Sequence, residues 1–148
     1  MTQTLERVSI RTTIRPDLPA VEADPVQIGQ VLTNIVENAV RYSPHGSTIE
    51  ISAARWRSSV QVRVTDQGPG IPTEDRERVF EEFYRRDAGG ARGGTGLGLA
   101  ISRAIVNAHG GTISIGRAPT GGTAVTFELP IADRESTTAP AGRGGATT

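Results

Sequence analysis

The stretch from residue 24 to 42 constrains the fold of this chain more than any other. Asp24 suits an N-cap and Pro25 suits the first helical position. Apolar residues then recur at Ile28, Val31, Leu32, Ile35, Val36, Ala39 and Val40, a wide stripe at helical spacing. The turn Ser43-Pro44-His45-Gly46-Ser47 ends the helix. A helix with so broad an apolar face needs a layer to lie on, and the sequence supplies strands for one. Residues 48–54 and 60–65 read as strands, with Val60, Val62 and Val64 alternating with Gln61 and Arg63. Residues 112–116 and 123–129 read likewise, and a looser period of two at Val8, Ile10 and Ile14 suggests another at 7–14. Further helices are expected over 73–83 and 97–108. Strands and helices do not alternate strictly. The expected class is therefore α+β: a two-layer sandwich, one mixed and mostly antiparallel sheet covered on one face by about three helices.

The chain has 148 residues, which suits one domain. That domain is expected over 1–131. From 132 onward Ala, Thr, Gly, Ser and Pro prevail, and a disordered tail is expected over 132–148. There is no Cys, so disulfides and thiolate chemistry are excluded. All 16 basic residues are Arg, which excludes a Walker-type lysine and a Schiff base. They are matched by 16 acidic residues, so no basic excess points to nucleic acid. No apolar run reaches the roughly 20 residues of a membrane span, and a cytoplasmic location is expected.

Three segments could carry chemistry. On the first helix, Asn34, Asn38 and Arg41 fall at i, i+4 and i+7 on one polar face. Asn is a poor helix-interior residue. An amide oxygen is a hard ligand suited to Mg²⁺, and Arg suits phosphate; the alternative is a solvated face. Asp66 ends a half-buried strand and precedes Gly68 and Gly70. A carboxylate there can accept from a ligand amino group such as that of adenine, and glycines let a flat ligand approach; an ordinary turn is the alternative. Gly93-Gly94-Thr95-Gly96-Leu97-Gly98-Leu99 runs directly into a helix, whose free N–H groups can hold phosphate. A flexible linker competes, but linkers rarely alternate Gly with Leu. Residues 87–96 read as mobile. Phe80, Phe83 and Tyr84 either pack the short helix or anchor a lid over the ligand. His45 and His109 have no catalytic partner at readable spacing, and His109 suits a helix C-terminus.

Taken in order, these segments resemble the ATP-binding catalytic domain of bacterial sensor histidine kinases, within the gyrase, chaperone and mismatch-repair ATPase superfamily. QVLTNIVENAVRYSP resembles its asparagine box, DQGPGI its first glycine box, VFEEFYR its phenylalanine box and GGTGLGLAIS its second glycine box. AHGGTISI and GGTAVTFELP also fit, and the likeness runs from about residue 21 to 130. More narrowly, PHGSTIEI is similar to the potassium- and turgor-sensing branch.

The resemblance implies a two-layer ATP-binding fold and a Mg-ATP site. Asn38 would hold Mg²⁺, Asn34 would lie beside the phosphates and Arg41 would contact them. Tyr42 would pack near the nucleotide. Asp66 would recognise the adenine amino group, with Gly68, Gly70 and Ile71 shaping that pocket and Thr123 supporting it. Gly94, Thr95, Gly96, Leu97, Gly98 and Leu99 would form the lid hinge and offer backbone N–H groups. Hydrolysing relatives carry Glu where this chain has Asn34, and an amide cannot take a proton, so slow hydrolysis is expected. The γ-phosphate would go to a histidine on a separate dimerisation domain. No such helix or histidine box precedes Met1, which suggests a catalytic domain of a longer kinase with a response regulator downstream, monomeric by itself. The alternatives are a free-standing ATPase, an anti-sigma-type serine kinase and a nucleotide sensor without transfer.

Overall fold

The computed structural model describes residues 8–81, 98–119 and 121–132. Five strands form one sheet: β1 (Ser9–Ile14), β2 (Thr48–Trp56), β3 (Ser59–Thr65), β4 (Thr112–Arg117) and β5 (Thr123–Pro130). Their order is β1-β2-β3-β5-β4. β1 runs parallel to β2, and the other pairs are antiparallel. The helices are α1 (Pro25–Tyr42) and α2 (Gly98–Ala108).

The register explains the two faces. Ile51 pairs with Val64, Val64 with Val125 and Val125 with Ile115, so one apolar row crosses four strands. A second row runs through Ala53, Val62, Phe127 and Ile113. These rows meet Val31, Ile35 and Val40 of α1 and Leu99 and Val106 of α2 in a single core. Side chains alternate along a strand, so the neighbouring positions face the other way. There Arg11 pairs with Glu50, Gln61 Nε2 donates to Glu128 at 3.1 Å, and Arg63 Nε donates to Thr126 Oγ1 at 3.3 Å. The sheet is thus helix-covered on one face and polar on the other, the expected class.

α1 starts where the sequence places it. Asp24 Oδ1 accepts from the Val26 and Gln27 amides at 2.9 and 3.3 Å. The Ser43 hydroxyl closes the other end on the Ala39 carbonyl at 2.6 Å. His109 joins the helices: its Nε2 accepts from the Asp24 amide at 3.1 Å, and its Nδ1 lies 2.8 Å from the Ile105 carbonyl. That pair of partners assigns the proton to Nδ1. His109 therefore ties the end of α2 to the start of α1, a structural role beyond the helix-end contact expected for it. Gly111 follows because the backbone presses against Glu128, whose carbonyl a Cβ would strike.

Two expectations are corrected. Over its described part, residues 73–81, the helix expected over 73–83 is instead a pair of 3₁₀ turns, Thr73–Asp75 and Arg78–Phe80. Its bonds run from i+3 to i: Asp75 to Pro72, Arg76 to Thr73, Phe80 to Glu77 and Glu81 to Arg78. The segment buries only the adjacent Val79 and Phe80, not a stripe at helical spacing, so packing does not reward α-helical winding. The strand expected over 7–14 is seen from Ser9; Val8, just before it, is buried in the core, but the period does not mark burial within the strand. Ile10 and Ile14 are 38% and 57% exposed because β1 is an edge strand beyond the helical cover. Gly94 and Gly96 of the expected lid hinge, Phe83, Tyr84 and the expected tail beyond 132 lie outside the described residues. Among the described residues, no helix is long and apolar enough to cross a membrane.

Candidate nucleotide site

Asp66 follows directly on β3 and is 4% exposed. Its Oδ1 accepts from the Gly68 amide at 2.9 Å and the Thr123 amide at 3.1 Å. The Asp66 amide in turn donates to the Thr123 carbonyl at 2.9 Å. The central strand pair β3–β5 therefore clamps the carboxyl group from the backbone, with both bonds on one oxygen. Two amide donors on Oδ1 leave the Oδ2 side for a further donor.

Glycines make that clamp possible. A Cβ on Gly122 would collide with the Asp66 carbonyl and lie 2.7 Å from Asp66 Oδ1. A Cβ on Gly68 would lie 2.7 Å from the Tyr42 carbonyl. Gly70 has φ +81°, a conformation side chains disfavour, and faces the Gly121 and Gly122 carbonyls. Ile71, next in the chain, is buried in the core. Sequence reasoning passed over Gly122; its only signal was a glycine pair directly before a strand.

Thr123 is 2% exposed, and its Oγ1 is buried without a hydrogen-bond partner, alone in this among the described residues. An orphaned buried hydroxyl costs about 1–3 kcal/mol. Here it sits on the residue whose amide holds Asp66. A buried acceptor and an unsatisfied hydroxyl at one spot fit a polar ligand edge that would partner both.

The polar face of α1 continues the site. The Tyr42 carbonyl abuts Gly68, so the end of α1 meets the Asp66 loop; the Tyr42 side chain is buried. Arg41 Nη1 donates to Asn38 Oδ1 at 3.4 Å. One turn back, Asn34 Nδ2 donates to the Gly98 carbonyl at 3.3 Å and Ser102 Oγ at 3.4 Å. Asn34 thus links α1 to the Gly98 end of α2. Ser102, fully buried, is a second residue that sequence reasoning missed; it lies on the α2 face turned to Asn34. Leu99 packs into the core and Gly98 touches Asn34, so both position this helix end.

From Asn34 to Tyr42 the axial rise is about 12 Å. The site therefore runs from the Gly98 end of α2, past Asn34, Asn38 and Arg41, to the Asp66 loop. Of the residues expected in the site, Asn34, Asn38, Arg41, Tyr42, Asp66, Gly68, Gly70, Ile71, Gly98, Leu99 and Thr123 are described, and all lie on or directly behind this path. Gly94, Thr95, Gly96 and Leu97 fall outside the described residues. Among the described residues, no group of three or more His, Cys, Asp or Glu could hold a metal by itself.

This arrangement defines a class. The chain belongs to the histidine kinase-, DNA gyrase B- and HSP90-like ATPase family, whose model matches residues 23–133. Within that family it is similar to histidine kinase catalytic domains. It is 43% identical over 129 residues to the adaptive-response sensory kinase SasA of Trichormus variabilis, covering 86% of this chain and 32% of that one. The catalytic domain of the histidine kinase ThkA superposes with a TM-score of 0.76 at 32% identity, over 88% of this chain and 84% of that domain. Full-length ShkA in complex with AMPPNP gives a TM-score of 0.74 at 31% identity, over 86% of this chain and 26% of ShkA. The chain spans about a third of the length of the curated relatives it matches.

Proposed function

We propose that this chain binds Mg-ATP and presents the γ-phosphate to a histidine on a separate phosphoacceptor domain. The observation that carries the reading is buried Asp66, clamped through Oδ1 beside the orphaned Thr123 hydroxyl at the end of the α1 polar stripe. Asp66 would accept from the adenine amino group, and the polar edge of the base would give the Thr123 hydroxyl the partner it lacks. Gly68, Gly70 and Ile71 would line the base, and Tyr42 would close the pocket from α1. Arg41 would contact phosphate oxygens, and Asn34 would keep the Gly98 end of α2 turned toward them. Asn38 Oδ1, which now accepts from Arg41, is a hard oxygen suited to Mg²⁺. Such an ion usually retains waters and phosphate ligands, so one amide oxygen suffices. The bound nucleotide supplies the transferable phosphoryl group; the chain's own residues bind, orient and neutralise charge.

Asn34 supports transfer over hydrolysis. Its amide nitrogen is committed to Gly98 and Ser102, and an amide cannot act as base toward water. In the whole protein, the partners would be a dimerisation domain bearing the histidine and a response regulator downstream, in the cytoplasm.

Calorimetric titration with ATP, with and without Mg²⁺, followed by a phosphate-release assay, tests the reading. Binding at one site, strengthened by Mg²⁺ and without appreciable release, supports it. A labelled dimerisation domain supplied in trans should then gain phosphohistidine. Steady phosphate release would support an ATPase instead, and absence of nucleotide binding would overturn the reading.

A further inference from the structure

A second recess lies beside the Asp66 loop. It measures about 300 Å³ and is bounded by Pro69, Pro72, Thr73, Arg76, Arg117 and Gly122. It shares Gly70 and Ile71 with the base end of the candidate site, but nothing of α1 lines it, so it lies apart from the polar stripe of Asn34, Asn38 and Arg41.

Its charge is unbalanced. Two arginines line it, and no carboxylate does. Arg76 is half-buried and its Nε donates to the Ile71 carbonyl at 3.2 Å, which anchors that guanidinium. The Arg117 guanidinium has no hydrogen bond or ion pair with any described residue. Elsewhere Arg11, Arg78 and Arg103 each pair with a carboxylate. Two guanidiniums around one recess repel each other unless an anion lies between them. The walls are preorganised: Pro69 and Pro72 restrict the backbone, and Gly121 holds φ +102°. Thr73 adds a hydroxyl donor.

We propose that this recess binds a phosphate dianion, either inorganic phosphate or the phosphate monoester of a small metabolite. Guanidinium forks match phosphate oxygens in pairs, and two of them balance a dianion, whereas a single carboxylate would satisfy only one. The proposal does not rest on the nucleotide reading: neither Asp66 nor the α1 stripe is used, and Gly70 and Ile71, which border both the recess and the base end, contribute no charge.

Amide NMR on the 148-residue chain tests it, with inorganic phosphate and glycerol 3-phosphate as probes and chloride holding ionic strength constant. Saturable shifts at Thr73, Arg117, Gly121 and Gly122 are expected, with a midpoint in the low-millimolar range or below. R117Q, at an exposed position, should keep the spectrum folded and raise the midpoint at least tenfold, and R76Q should do the same. Saturation by both probes, or by either alone, supports the site and identifies its ligand. The proposal fails if chloride reproduces the shifts, if saturable shifts appear only around Asn38 and Arg41, or if R117Q leaves the midpoint unchanged.

Discussion

The Asp66 end and the Asn38 end of the candidate site are held by different means. At the Asp66 end, backbone does the holding: two amides fix one carboxylate oxygen, and Gly122 and Gly68 let neighbouring strands and α1 approach to contact. Asp66, Gly122 and Thr123 are buried there, anchored on the central strands. At the Asn38 end, side chains hold one another: Arg41 rests on Asn38, and Asn34 reaches across to Gly98 and Ser102. Asn34, Asn38 and Arg41 are half-buried and can exchange partners. One end is thus part of the fold, and the other is an adjustable surface laid on it. Damage at the first should cost stability and binding together, whereas damage at the second should cost binding alone.

Gly122→Ala should have the largest effect. Its Cβ would collide with the Asp66 carbonyl, so Asp66 and Thr123 must separate. We expect a loss of about 2–4 kcal/mol in stability, read by urea denaturation, and ATP binding weakened beyond detection. Gly116→Ala meets no atom within 4 Å and should stay within about 0.5 kcal/mol of the parent. Equal effects of the two would break the comparison. Asp66→Asn comes next. Its amide oxygen can still accept from Gly68 and Thr123, so the fold should persist while ATP affinity falls by about 10- to 100-fold in calorimetry.

Asn38→Ala should leave thermal stability unchanged and remove only the Mg²⁺-dependent increment, about tenfold in affinity. Without Mg²⁺ its affinity should match the parent. Thr123→Val sharpens the contrast most finely. It removes an orphaned hydroxyl at nearly constant shape, so the nucleotide-free protein should gain up to about 1 kcal/mol. ATP affinity should fall a few-fold in the same variant. A variant less stable than its parent would mean that the hydroxyl is satisfied within the protein.

What could be read beforehand follows the same division. The period of α1, its Asp24–Pro25 start and the alternation in β3 are local signals, and they placed the helix, the sheet and the Asn34–Asn38–Arg41 stripe. Asp66 stood out because a carboxylate before two glycines is locally conspicuous. Gly122 did not, since its role depends on a contact with a residue more than fifty positions away. The same distance hid Ser102 behind Asn34 and the His109 bond to Asp24, which spans 85 residues. The residues over 73–83 misled because their acidic start looks helical, while only tertiary packing of Val79 and Phe80 selects the tighter winding. For β1, alternation could not reveal that an edge strand lies outside the helical cover.

The central claim is that buried Asp66 selects an amino group at the base end of the site. Parallel calorimetric titrations with ATP and inosine triphosphate test it most directly, because the two differ there by an amino group against a carbonyl. ATP should bind at least tenfold more tightly, and Asp66→Asn should erase most of that difference. Equal affinity of the parent for both nucleotides would contradict the assignment.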